Sequence, residues 1–287
     1  MRVVIIGAAG LLGKYLLSEW KNDEVIGLDA AEVDIRDAEQ VRKVVGELRP
    51  EWVVLTAAYT DVDGCESHAD LAFETNCVGA VNVAETAREV GSGLLFLSTD
   101  YVFDGTKTSP YETDDAHNPL GVYGRSKSEA EKRLSQTLPE ACVVRTSWLF
   151  GTGGKCFPDT ILKLAATRPE LEVVDDQRGC PTYARDLARA IIELCRQDAS
   201  GVVHVTNAGD CTWFDLASET AHLSGLKTVV RPTTSEKFIR RAARPKYSVL
   251  SPKSLAKYGI RMPTWQEALR DYVAERGVPV PRDQTST

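Results

Sequence analysis

The chain begins RVVIIGAAGLLGKYLLSEW: an unbroken β-branched run, then Gly7, Gly10 and Gly13, then apolar residues at helical spacing. A strand with no polar alternation has to be covered on both faces. The pattern recurs as VIGL before DAEQVRKVVGEL, WVVLT before the helical stretch around ETNCVGAVNVAETAREV, and LLFLS before GRSKSEAEKRLSQTL, with CVVRTSWLF closing the set. Strands separated by helices predict an α/β doubly wound parallel sheet, Rossmann-like, with right-handed crossovers. The reading places a dinucleotide-binding domain at residues 1–150. A smaller, mainly substrate-binding α/β part follows at 151–287, of which about 184–206 returns to the first sheet.

Glycines between a first strand and its helix permit a tight turn and let backbone N–H groups approach a pyrophosphate. Gly7, Gly10 and Gly13, with Leu11 and Leu12 opening the helix, are therefore candidate cofactor residues. Asp29 follows the second strand, where a carboxylate accepts hydrogen bonds from an adenosine ribose and repels a 2′-phosphate. In VDIRD, Asp34 is placed to hold the adenine amino group and Ile35 to cover the ring. Ala57, Ala58 and Tyr59 end the third strand, the two alanines being small enough for a cofactor to lie close to the backbone.

Composition narrows the class. The 287 residues are 43% apolar and 26% charged, as in an ordinary globular protein. A formal net charge of -7 argues against nucleic-acid binding, and nothing suggests a membrane partner. The seven cysteines have no CxxC spacing and the four histidines no HxxxH spacing, so no metal is expected. The N-terminus carries no signal-like segment, which points to the cytoplasm.

The chemistry concentrates in STDYVFDG and YGRSK. Tyr123 and Lys127 are four apart in a helical segment and share a face. An ammonium beside a phenol is expected to lower its pKa from about 10, and reaching 7 takes about 4 kcal/mol, to be supplied by the lysine together with the positive nicotinamide of oxidised cofactor. Tyr123 would then protonate a carbonyl oxygen as hydride reaches its carbon, with Thr99 holding the same oxygen.

With these residues in view, the chain resembles the extended short-chain dehydrogenase/reductases, and within them the dTDP-4-dehydrorhamnose reductase family. GAAGLLG, AAYTDVDGCE, the asparagine of ETNCVGA, LSTDYVFDG, YGRSK, RTSWLFG, QRGCPTYARDLA, RPKYSVLS and PTWQEAL carry the resemblance, across almost the whole chain. It implies Thr99, Tyr123 and Lys127 as the catalytic set, and Thr99, Asp100 and Trp148 as sugar-pocket residues. The activity implied is reduction of the C4 ketone of dTDP-4-dehydro-L-rhamnose to dTDP-L-rhamnose by NADPH or NADH, with dual use expected because Asp29 argues for NADH. Related nucleotide-sugar dehydratases carry an Asp-Glu pair where this chain has Asp100-Tyr101. An unperturbed tyrosine is a poor base near neutral pH, so dehydration is disfavoured. Some family members dimerise around magnesium through a glutamate where this chain has Lys14-Tyr15, so that dimer is not expected; a monomer or a homodimer of another kind is.

Beyond RTSWLFG, Gln177 and Thr182 in the turn-rich QRGCPTY are candidates to face the substrate. In KFIRRAARPKYS, Arg244 is the preferred ligand for a substrate diphosphate. The tail GVPVPRDQTST is expected to fray. Two alternatives stay open: a reductase or epimerase of another nucleotide sugar, and a non-catalytic NADP-binding subunit like the regulatory subunit of methionine adenosyltransferase.

Overall fold

The computed structural model describes residues 1–277, so the expected fraying of the tail after Gly277 lies outside the described residues. Its core strands are β1 (Arg2–Ile6), β2 (Glu24–Leu28), β3 (Trp52–Leu55), β4 (Gly93–Thr99), β5 (Cys142–Thr146) and β6 (Gly201–His204). They form one parallel sheet in the order β6-β5-β4-β3-β1-β2. The chain steps from β1 outward to β2 and then crosses back to β3. That reversal opens a crevice beyond the carboxyl ends of β1 and β3.

The unbroken apolar runs explain the layering, because alternate residues enter different cores. Val3 and Ile5 join Val54, Leu95 and Val144 in one core, under α1 (Leu11–Glu19) and the helix Ala184–Arg196. Val4 and Ile6 join Val53, Leu55 and Phe96 in the other, under α2 (Ala38–Leu48), α3 (Gly79–Val90) and α4 (Val122–Thr137). All four residues of the β1 run are at most 1% exposed. The sheet is thus covered on both faces, as its composition requires.

Two expected elements are interrupted. The stretch around ETNCVGA is a short helix, Ala69–Phe73, followed by a π-turn at Glu74–Val78 before α3. CVVRTSWLF ends as a core strand at Thr146; Trp148 adopts φ +48°, and Leu149–Phe150 leaves the sheet to pair with Thr182–Tyr183. In the second half, the helix Ala184–Arg196 packs on α1 and Gly201–His204 supplies β6. The parallel pair Glu170–Val174 and Val229–Thr233 lies outside the main sheet, with Phe157–Ala165 and Trp213–Leu223 packed on it.

The turn after β1 sets how closely α1 approaches the sheet. A Cβ at Gly13 would lie 2.6 Å from the Ala8 Cα, a backbone atom that cannot swing away. Gly13→Ala is therefore expected to lower unfolding stability by at least about 2 kcal/mol. Urea denaturation followed by circular dichroism checks this; an unchanged midpoint contradicts the tight approach.

Candidate active site

A cavity of about 580 Å³ opens beyond the carboxyl ends of β1, β3, β4 and β5. The first-half turn lines one side with Gly7, Gly10, Leu11, Leu12, Gly13, Asp29, Ala57 and Ala58. Gly7 has φ +95°, and a Cβ there would lie 2.6 Å from the Ala57 nitrogen. No side chain caps α1 and its first turn holds no acidic residue, so its N–H groups are left for an anion. The Asp29 Oδ1 accepts the Ala9 N–H at 2.6 Å, which fixes the carboxylate at the rim of the turn. A bare glycine cradle with an anchored carboxylate beside it fits a dinucleotide.

Thr99, Asp100, Tyr101, Tyr123 and Lys127 line the same cavity. Thr99 ends β4; its Oγ1 accepts the Tyr101 N–H at 3.2 Å and donates to Asp100 Oδ1 at 3.1 Å. Tyr123 lies in the first turn of α4, where the Ser126 hydroxyl donates to its carbonyl at 2.8 Å. Asn76, 1% exposed on the π-turn, donates to Ser126 Oγ at 3.0 Å and to the Tyr59 carbonyl at 3.1 Å, and accepts the Tyr59 N–H at 2.7 Å. One buried amide thereby fixes both the end of the β3 loop and the start of α4. Asn76 was visible only as part of a resemblance, because its role depends on the π-turn.

Burial dominates the electrostatics of the protein's own groups, and it runs against the expected lowering of the Tyr123 pKa. Burial holds the Tyr123 phenol well above its ordinary value, the Asp100 charge adds to this, and the Thr99 hydroxyl opposes it. The Lys127 amine is itself buried and pushed down to about 7, against the opposing effects of Glu131 and Cys77. Its Nζ sits 4.0 Å from the centre of the Phe96 ring. An amine driven towards neutrality cannot offset the lost hydration of a phenolate. Burial likewise raises the Asp100 carboxyl to about 7, opposed by hydrogen bonds from Ser248 and Thr99, and its Oδ2 has no partner.

The second half closes the cavity with Trp148, Lys155 and Trp213. Trp148 stacks on Trp213 with ring centres 3.6 Å apart and planes 8° from parallel. On the other side, a Cβ at Gly179 would lie 2.6 Å from the Trp148 Cε2. Lys155 and Trp213 went unnoticed in the sequence, since neither belongs to a periodic pattern or a recognised motif.

Six expected site residues do not line this cavity. Asp34 pairs with Arg36 at 2.6 Å, and Ile35 is buried beneath Gly79. Tyr59 faces a smaller neighbouring pocket with Asp61, Asp63, Gly64, Ser67, His68 and Arg241. Gln177 lies just before the short strand Arg178–Gly179. Thr182 is fully buried and donates its N–H to the Trp148 carbonyl at 3.2 Å, so it meets the platform through its backbone. Arg244 forms an ion pair with Asp63 at 2.8 Å, which ties the basic segment to the helix Val62–Ser67.

Among the described residues, no cluster of His, Cys, Asp and Glu is arranged to hold a metal, and no helix is long and apolar enough to cross a membrane. Lys14 donates to the Gly153 carbonyl at 2.8 Å and the Tyr15 hydroxyl to Glu275 at 2.6 Å.

The doubly wound sheet, its glycine turn and this crevice define a Rossmann-like dinucleotide-binding protein. Comparison with known proteins narrows it: the model of the RmlD substrate binding domain matches residues 1–277. The spore coat polysaccharide biosynthesis protein SpsK of Bacillus subtilis is 42% identical over 277 residues, covering 96% of this chain and 98% of that protein. The dTDP-4-dehydrorhamnose reductase of Streptomyces griseus is 39% identical over 297 residues, covering 98% of each. The crystal structure of dTDP-4-dehydrorhamnose reductase from Bacillus anthracis in complex with NADP superposes with a TM-score of 0.93 at 39% identity, covering 96% of this chain and 99% of that one. The chain belongs to the dTDP-4-dehydrorhamnose reductase family and is an oxidoreductase.

The raised Asp100 carboxyl gives a pH signature. Its protonated form contributes stability fully below about pH 4, and the contribution is lost as pH rises through about 7. Three pH units correspond to roughly 4 kcal/mol at most. Asp100→Asn should therefore gain thermal stability relative to wild type between pH 4 and pH 8, read by calorimetry. A difference independent of pH contradicts this burial.

Proposed function

We propose that this enzyme reduces the C4 ketone of dTDP-4-dehydro-L-rhamnose, giving dTDP-L-rhamnose. The observation that carries the reading is that Thr99, Tyr123 and Lys127 line one cavity with the glycine turn. The cofactor, NADPH or NADH, supplies the hydride when bound. Gly7, Gly10 and Gly13, with the N–H groups of Leu11 and Leu12, would hold its pyrophosphate, and Asp29 its adenosine ribose.

Thr99 donates a hydrogen bond to the ketone oxygen, and Tyr123 delivers the proton that completes the alcohol. A phenol that desolvation holds in its protonated form is in the state reduction needs. Lys127 holds the nicotinamide ribose hydroxyls. Asp100 takes a sugar hydroxyl and Trp148 packs on the sugar, both lining the cavity beside Thr99.

Elimination of water from the sugar would need a base where Tyr101 stands. Burial holds that phenol well above its ordinary value, and its ring edge contacts Tyr123 at 5.9 Å between centres. It cannot remove a carbon-bound proton. The relatives named as dTDP-4-dehydrorhamnose reductases support the choice of sugar.

Tyr123→Phe is expected to lose roughly 10²–10⁴-fold in kcat while still binding NADH and NADPH. Consumption of either cofactor, followed at 340 nm with dTDP-4-dehydrorhamnose made in situ, provides the assay. Wild-type turnover by this variant would remove Tyr123 from the mechanism.

A further inference from the structure

Behind the cavity lies a buried charged cluster that the mechanism above does not use. Glu131 lies on α4 one turn beyond Lys127, so Tyr123, Lys127 and Glu131 recur every four residues along one helix face. Its carboxylate accepts from the Ser98 hydroxyl on β4 and from the Arg145 guanidinium on β5, at 2.7 Å through Nη2 and 3.1 Å through Nε. Glu131 is 6% exposed, Arg145 2% and Ser98 3%. Ser98 lines the cavity itself beside Thr99, while Arg145 precedes the cavity residue Thr146 and Glu131 follows Lys127 by one turn.

The remaining Arg145 N–H groups are also engaged. Nη1 donates to the Thr113 carbonyl at 3.1 Å and to His204 Nε2 at 3.3 Å, and Nη2 donates to His117 Nε2 at 2.6 Å. Both imidazoles accept from a guanidinium, so both are neutral, and burial and the Arg145 charge lower their pKa values. With Nε2 accepting, His117 carries its proton on Nδ1 and donates it to Ser128 on α4 at 2.8 Å. The cluster therefore ties α4 to β4 and β5 and sets a paired carboxylate one helical turn beyond Lys127.

We propose that Glu131 is a positioning residue for the reductase: clamped between Ser98 and Arg145, it sets Tyr123 against Thr99 and places a carboxylate one helical turn from Lys127. The proposal rests on the reductase reading for its substrate but not for its cofactor. The charged or titratable groups around Lys127 are Glu131 and Tyr123 on its own helix, Cys77 on the π-turn, and Arg145 on β5 behind Glu131. Among these Glu131 is the anion, so its removal shifts Lys127 towards the neutral amine.

Three variants test it. Glu131→Gln keeps the acceptor for Ser98 but leaves Arg145 as an unpaired buried cation, which threatens folding. The double variant Glu131→Gln with Arg145→Met removes both charges and so relieves that penalty. Glu131→Asp keeps the charge. The readouts are NADH binding against pH, by energy transfer from protein to nicotinamide without sugar, and kcat and KM with the keto-sugar.

In the double variant, the alkaline limb of NADH binding should move down by about half a unit or more, and kcat should fall roughly tenfold with KM for sugar within about twofold. Glu131→Asp should keep the limb near its wild-type position. A folded double variant with the wild-type binding limb and kcat overturns the proposal. If that variant does not fold, Ser98→Ala decides: a kcat equal to wild type overturns the clamp, and a fall at unchanged KM supports it. Loss of sugar turnover in wild type with an intact NADH binding limb would instead strike the substrate reading alone.

Discussion

Desolvation beyond the carboxyl end of β4 governs what this molecule can do. Asp100 and Lys127 are buried and Tyr123 is half-buried, all on one cavity, and desolvation disfavours the charged form of each. The result is a carboxyl and an amine that titrate near neutrality beside a phenol that keeps its proton. A site of this kind is poised to give a proton to a developing alkoxide and poorly suited to remove one from carbon.

The fold builds this environment by converging elements from both halves. Alternate residues of the β1 run feed two cores, so helices cover both faces and the crevice at the strand reversal stays dry on its inner wall. Asn76 locks α4 to the β3 loop, while Glu131 and Arg145 lock it to β4 and β5. The second half contributes the stacked Trp148 and Trp213, with Trp148 held in a left-handed backbone conformation that lifts it out of the β5 line. Buried ion pairs of this sort contribute little net stability once desolvation is counted, so fixing geometry is the use that fits them best.

The architecture was legible because periodicity is a property of each segment: RVVIIG has no polar face, and LLGKYLLSEW has an apolar one. The glycine turn, Thr99, Tyr123 and Lys127 were legible because their spacing is local. What was not legible depended on distant contacts or on burial. The Tyr123 pKa is pushed up by its own desolvation and by the Asp100 charge, and no spacing rule reports depth. Arg244 read as a free cation for a diphosphate, yet it pairs with Asp63, 181 residues earlier in the chain. Lys155 and Trp213 reach the cavity only because loops from the second half fold over α1 and Trp148.

The most direct measurement of the central claim is the fate of a labelled hydride. NADH or NADPH deuterated at the transferring position would be turned over with dTDP-4-dehydro-L-rhamnose, and the sugar analysed by NMR and mass spectrometry. The account predicts one deuterium at C4 and a product with the rhamno configuration. Deuterium absent from C4, or a sugar returned with its ketone intact while the cofactor remains bound, would contradict it.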